Sequence, residues 1–398
     1  MKVLFLTYHG FDDASGITKK MLAQIKGLRQ NGHEVHVCTY DITDTGDCCR
    51  FVDEEIIQNY GRGVWGALRQ RMSYGCIYHY CVSHQIEFVY VRHFMNANPW
   101  LVRLFRRLKK AGIQCVMEVP TYPYDQEFEF LPFKHKLSLF FDKLFRQHLA
   151  SQMDAIVTFS DEKEIFGQRT INISNGVDFD SIPLHEPLTM NHELHLIGVA
   201  EVHPWHGYDR LIAGIGEYYR GKPNLPSPFT LHPSPQKDVF FHIVGDVWPS
   251  EMEGSDKVPG FAPIIKKFGI EKYVIFHGKL FGEELNKVFS QCRFAVGSLG
   301  RHRSGITHIK TLKNREYAGR GIPFIYSECD SDFDNQPYVV KAKPDESPID
   351  IQSIIDFVDH FDMQPVMIRN TVEKLSWKYQ MQEILNQCKE LNSKSLES

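Results

Sequence analysis

The stretch from Ser298 to Tyr326 constrains this chain most. The apolar run Phe294-Ala295-Val296 leads into it and reads as the end of a buried strand. A loop rich in Gly, Ser and Arg follows. A helix begins near Thr311, stops at Gly319 and Gly321, and gives way to the strand Ile322-Pro323-Phe324-Ile325-Tyr326. Arg301, Arg303, Lys310 and Lys313 surround the loop and the helix N-terminus. Unpaired backbone N–H groups and the helix dipole favour an anion at such a place. Glu316 follows Lys313 by about one turn and shares its face. Cations beside a carboxylate suit a nucleotide sugar: the cations hold the diphosphate and the carboxylate accepts from ribose hydroxyls. A solvated charged helix beside a strand fits the same spacing, so both readings stand at this point.

The rest of the chain repeats the strand–helix alternation. Lys2 to Tyr8 reads as a buried strand. A helix follows from Gly16 to about Asn31, with Ile17, Met21, Ile25 and Leu28 on one face, and Glu34 to Thr39 is the next strand. Such a βαβ unit is right-handed. Gly16 then lies at the carboxyl end of the first strand, where open α/β sheets bind ligands. A glycine there admits a diphosphate or sugar close to the backbone, or it is a plain helix start. Asp41 to Tyr60 shows the least regular pattern, and Val64 to Cys81 reads as one helix. Glu118 stands near the end of the strand Cys115 to Val119. Its carboxylate contacts an acceptor hydroxyl, balances charge at a reacting carbon, or is tied to a loop backbone. Trp100 to Lys110 is a basic amphipathic helix. In Phe133 to Leu149, Leu137, Phe140, Phe141, Leu144 and Phe145 share one side and Lys134, Lys136, Lys143 and Arg146 the other. Basic amphipathic helices either lie on anionic membrane surfaces or pack on a core with a solvated basic face. Beyond Asn175 the chain turns polar through Asn191, which marks a domain junction. A second series of strands follows, and the Pro-rich segment Gly221 to Pro235 reads as a loop insertion.

Composition bounds the function classes. A chain of 398 residues suggests two domains. A formal net charge of -4 argues against nucleic acid as the main partner. Nine Cys without CxxC spacing indicate neither a zinc site nor a disulfide framework, which suits a reducing cytosol. The apolar start Met1 to Leu6 is short and reads as a strand rather than a signal peptide. No run is long enough to span a bilayer. The expectation is a cytoplasmic protein.

The block Leu312-Lys313-Asn314-Arg315-Glu316-Tyr317-Ala318-Gly319-Arg320-Gly321-Ile322-Pro323 resembles the donor-site signature of the retaining glycosyltransferases of family 4. Other pieces fall in that family's order: Gly16, Asn175-Gly176-Val177-Asp178, Trp205 to Ile212, Ile243-Val244-Gly245-Asp246 and Phe276-His277-Gly278. The resemblance covers nearly the whole chain. It implies an α/β fold of the GT-B type, with two Rossmann-like domains facing each other across a cleft. Residues 1–180 would form the acceptor side and 181–398 the donor side, with the last helix returning to the first domain. It implies transfer of a sugar from a nucleotide-diphosphate donor to an acceptor hydroxyl, with retention, in polysaccharide or glycoconjugate assembly. The partners are then the nucleotide-sugar donor, a sugar or lipid-linked acceptor, and a peripheral membrane surface; no metal or cofactor is implied.

Two departures shift the roles. Eight positions before Glu316 the family has a Glu, and this chain has His308. In the loop before the second domain's first helix, Glu201 and His206 stand near the places where the family tends to have Arg and Lys. Arg303 and Lys313 would therefore carry more of the phosphate charge. His206 would donate to the leaving phosphate and His308 contact the donor sugar. The same departures allow an alternative, a non-catalytic partner subunit with a weakened donor site. Gly16 belongs to no GxGxxG pattern, which argues against NAD.

Overall fold

The computed structural model describes residues 1–11, 16–93, 95–123, 125, 133–186, 192–220, 237–254 and 260–396. The chain divides into two compact units, residues 1–176 with 374–398, and residues 177–373.

The first unit is built on nine strands among its described residues: β1 (Lys2–Leu6), β2 (Glu34–Ile42), β3 (Asp47–Val52), β4 (Glu55–Arg62), β5 (Phe88–Arg92), β6 (Gln114–Val119), β7 (Ala155–Thr158), β8 (Glu164–Ile165) and β9 (Gln168–Asn172). Their order is β4-β3-β2-β1-β5-β6-β7-β9-β8. The run from β2 to β9 is parallel, while β3, β4 and β8 pair antiparallel. Both faces of the parallel part are covered, so β1 and β5 are continuously apolar. Helices Gly75–Ser83, Pro99–Lys110 and Phe133–Ala150 cover one face, through Ile77, Leu101, Phe105, Leu108 and Leu149. Helices Gly16–Gln30 and Trp377–Leu396 cover the other, through Met21, Ile25, Trp377, Met381 and Ile384.

Two local expectations are corrected here. The irregular stretch contains the β3–β4 hairpin. Its turn places Asp53 and Glu54 at positive φ, 49° and 72°. Hairpin turns of that kind normally announce themselves with Asn-Gly or Asp-Gly, and neither residue here is glycine. The single helix expected from Val64 to Cys81 is two, Gly63–Met72 and Gly75–Ser83, because Ser73 is extended.

The second unit has six parallel strands among its described residues: β10 (Glu193–Val199), β11 (Asp238–Val244), β12 (Val274–Gly278), β13 (Phe294–Val296), β14 (Phe324–Tyr326) and β15 (Val339–Lys341). Their order is β12-β11-β10-β13-β14-β15. The chain fills one half outward from β10, then starts again from β13 on its other side. The reversal between β10 and β13 opens a crevice at the carboxyl ends of the strands, the usual ligand position in doubly wound sheets. The core is Leu196, Phe241, Ile243, Phe294, Val296 and Ile325, roofed by helices Tyr208–Arg220, Phe261–Phe268 and Ile351–His360. The Pro-rich insertion falls outside the described residues.

Candidate functional site

Two loops leave the second sheet at the reversal, one after β10 and one after β13. They are joined backbone to backbone. Leu299 N–H donates to the His206 carbonyl at 2.8 Å, and Gly300 N–H to the Trp205 carbonyl at 3.2 Å. This close approach needs Gly207, which has φ +61°; a Cβ there would sit 2.6 Å from the Gly300 nitrogen. Gly207→Ala is expected to cost roughly 1–3 kcal/mol through that clash and the left-handed backbone. A urea midpoint equal to that of the wild type would show that the loops tolerate separation.

Arg303 holds this junction together and is thereby removed from the diphosphate role expected of it. Its guanidinium makes a two-pronged pair with Asp209, both contacts 2.8 Å, and donates to the Pro204 carbonyl at 2.9 Å. Its Nε and Nη2 donate to Glu346. Those contacts use all five N–H donors of the side chain. Two further cations of these elements are Arg301, whose guanidinium lies 5.7 Å from the Trp205 ring, and Lys313. Burial pulls the Lys313 ammonium down to about 7, and the neighbouring Arg301 adds to this. Lys313 therefore changes charge near neutral pH.

His206 is buried, and its Nδ1 accepts the His203 backbone N–H at 2.9 Å. An accepting Nδ1 leaves the proton of the neutral ring on Nε2. Burial, with Lys313 and Arg301 nearby, pushes the ring well below its ordinary pKa. His206 is thus a neutral hydrogen-bond donor beside two cations.

Helix Leu312–Arg320 is anchored to the segment after β14. Buried Arg315 pairs with Asp330, with one contact at 2.8 Å, and reaches Asp332. Asn314 Nδ2 donates to Glu328 Oε1 at 3.3 Å and to Asp330 Oδ2 at 3.2 Å. Glu328 is 2% exposed. Burial raises its carboxyl, although backbone hydrogen bonding, Arg301 and Lys313 pull the other way. Four buried oxygens in these elements have no hydrogen-bond partner among the described residues: Glu328 Oε2, Ser298 Oγ, Thr311 Oγ1 and Asn314 Oδ1. Unpartnered buried polar atoms are rare and call for a ligand or water. Buried acceptor oxygens beside cations match the hydroxyls and the phosphate of a sugar that carries phosphate.

The remaining expected residues fall as follows. Glu316 is half-exposed, and its Oε1 accepts from Arg320 at 3.0 and 2.9 Å. His308 is exposed, on a segment that runs beside residues 327–330 and pairs with Cys329 by backbone hydrogen bonds of 3.1 and 2.7 Å. Gly16 and Glu118 belong to the first unit. Gly16 is exposed at the start of its helix, and a Cβ there would meet nothing within 4 Å, so the fold itself does not require glycine. Glu118 is fully buried. It takes Arg92 Nη1 at 2.8 Å, Gln24 Nε2 at 2.6 Å, Lys20 Nζ at 3.2 Å and the Tyr90 hydroxyl. Burial would raise its carboxyl, but Lys20 and Arg92 hold it down to about 2. An acid with that value is no proton acceptor near neutral pH, and an acceptor hydroxyl has no surface of Glu118 to touch. Sequence reasoning missed Glu328 and its neighbours. Their signal was the alternation Glu328, Asp330, Asp332 just past a strand end, opposite a helix bearing Arg315.

No family model matches the chain, and no curated protein matches its sequence. Solved structures match its fold along its length. A sucrose-phosphate synthase from Thermosynechococcus elongatus is 13% identical with a TM-score of 0.64, over 98% of this chain and 99% of that one. A structure described as trehalose-6-phosphate from E. coli bound with UDP-2-fluoro glucose is 11% identical with a TM-score of 0.57, over 98% and 99%. AviGT4, a glycosyltransferase involved in avilamycin A biosynthesis, is 12% identical with a TM-score of 0.52, over 98% and 97%. At these identities the likeness concerns the fold, which is α/β with two parallel-sheet domains, the GT-B type.

Proposed function

We propose that this GT-B-fold chain is a glycosyltransferase that moves a sugar from a nucleoside-diphosphate donor to an acceptor hydroxyl, with retention of the anomeric configuration. One observation carries the reading: Arg301, Lys313, neutral His206 and the unpartnered Glu328 oxygen sit on the two loops, the helix and the segment after β14, at the carboxyl ends of the strands beside the strand-order reversal. The neighbours of like fold include one bound with UDP-2-fluoro glucose, which supports the donor class.

In this mechanism Lys313, Arg301 and the N-terminal N–H groups of helix Leu312–Arg320 hold the leaving diphosphate. Fixed charges aimed at developing negative charge are often the largest catalytic term. His206 Nε2–H donates to a phosphate oxygen and keeps its proton. Glu328 and Ser298 hold hydroxyls of the transferred sugar, His308 stands at the edge of that subsite, and Glu316 accepts from the ribose by exchanging Arg320 for the sugar. For retention the acceptor approaches on the face from which the diphosphate departs, and the departing oxygen takes the acceptor proton. Glu118 acts at a distance: it positions Lys20 and Arg92 in the first unit and touches no substrate.

Calorimetry with a panel of nucleoside diphosphates, without added metal, tests this. One base should bind in the micromolar range, and Glu316→Ala should weaken it about tenfold through the lost ribose contact. If no member of the panel binds, the donor-site reading is wrong.

A further inference from the structure

Four helices of the first unit form one continuous layer: Gly63–Met72 packs beside Pro99–Lys110, which also touches Gly75–Ser83 and Phe133–Ala150. The chain as a whole has 49 acidic and 45 basic residues, yet these four helices contain a single acid, Asp142, and it is fully buried with the Ala97 N–H on it. Their outer surface carries Arg69, Arg71, Arg103, Arg106, Lys110 and Lys136, all exposed. Acids beside the layer are paired: Asp125 is occupied by Arg146 at 2.8 Å and Lys143 at 3.1 Å, and Asp47 by Arg62 at 3.2 Å.

The same surface is apolar where a soluble layer would be polar. On helix Gly63–Met72, Val64 is 84% and Trp65 71% exposed, and Leu68 and Met72 extend the stripe at helical spacing. On helix Phe133–Ala150, Leu137, Phe140, Phe141 and Leu144 form a second exposed stripe. Between helices Pro99–Lys110 and Phe133–Ala150 lies an open groove of about 580 Å³, lined by Arg103, Arg106, Arg107, Lys110, Phe145 and His148. The Arg107 guanidinium is fixed 3.7 Å over the Tyr78 ring, so part of that lining is held in place.

We propose that this layer docks on an anionic phospholipid bilayer, with phosphate headgroups in the groove and the Trp65 and Phe140 stripes entering the boundary between headgroups and acyl chains. The combination decides the occupant. Cations with Trp, Phe and Leu on one helical face describe an interfacial surface. A second copy paired through the same face would set like charges against each other. The inference stands apart from the donor-site reading, because its residues lie in the other unit.

The test is flotation of the full chain with vesicles of phosphatidylcholine alone and of phosphatidylcholine with about a third phosphatidylglycerol, the anionic component the surface calls for. The chain should float with the anionic vesicles only, and binding should fall steeply at 0.5 M salt, where screening shortens to a few ångströms. Arg103→Glu with Arg106→Glu should lower binding by at least about tenfold, at roughly fivefold per lost cation. Trp65→Ser with Leu68→Ser should lower it several-fold and leave the salt dependence in place. Unchanged circular dichroism shows that each variant is folded. Equal binding to neutral vesicles, no binding to either, variants that float like the wild type, or a salt-sensitive dimer in place of vesicle binding would each overturn the proposal.

Discussion

Lys313→Met lowers the rate of donor hydrolysis by about 10²–10³, the size of losing one donor aimed at a transition-state charge. It leaves urea stability unchanged or slightly raised. The two readouts separate because Lys313 is an ill-placed ammonium for folding. Burial and Arg301 pull it from 10.5 to about 7, so the unfolded chain binds more protons between those values, and wild-type stability rises as pH increases through that window. Ligand binding has the opposite sign. Above pH 7 the diphosphate is ionised, and its charge favours the protonated ammonium, so binding takes up a proton. Wild-type affinity then falls by up to about tenfold per pH unit above about 7, until the higher pKa of the complex is reached. Lys313→Arg stays charged, and its profile should be flat over that range. Calorimetry in buffers of different ionisation heat measures the proton directly. A wild-type affinity constant from pH 7 to 9, with no proton uptake, would remove Lys313 from the phosphate site.

How far the sequence carried this site depends on which interactions are local. The strand ends, the helix Leu312–Arg320 and the glycines that stop it were legible, because periodicity and turn chemistry act over a few residues. The role of Arg303 was not. Its partners Asp209 and Glu346 are far away in sequence, and an arginine in a phosphate loop looks the same whether it is free or fully paired. Glu328 was invisible for a related reason: it stands two residues past the strand that closed the readable unit, and its meaning comes from Asn314, Arg301 and Lys313 around it. The β3–β4 hairpin escaped because β4 is an exposed edge strand without alternation and its turn lacks glycine. Glu118 was legible as a carboxylate near a strand end, but not as the hub of a buried network, since Lys20 and Gln24 come from helix Gly16–Gln30 and Tyr90 and Arg92 from β5.

That network yields the largest expected effect on stability. Glu118→Gln keeps the shape and removes the charge, so Lys20 and Arg92 remain buried without their counter-ion. Breaking a buried pair in this way costs about 3–5 kcal/mol, because the stranded charges pay for desolvation unaided. The pH dependence identifies the cause. Glu118 is depressed from 4.5 to about 2, so its contribution is complete above 4.5 and is lost as pH falls toward 2. A shift of that size corresponds to roughly 3 kcal/mol. The gap between wild type and Glu118→Gln in urea midpoint should therefore open as pH rises from 2 to 4.5 and be widest just above 4.5, before the variant's Lys20 begins to lose its proton. Lys20 moves the other way: lowered to about 7 by burial, it adds stability to the wild type as pH rises from 7 to 10.5. In Glu118→Gln the ammonium loses the carboxylate that supports it, its pKa drops further, and that rise begins below pH 7. If the variant matches the wild type in stability at every pH yet loses turnover, Glu118 contacts the reacting groups, and the buried network is not what the residue is for.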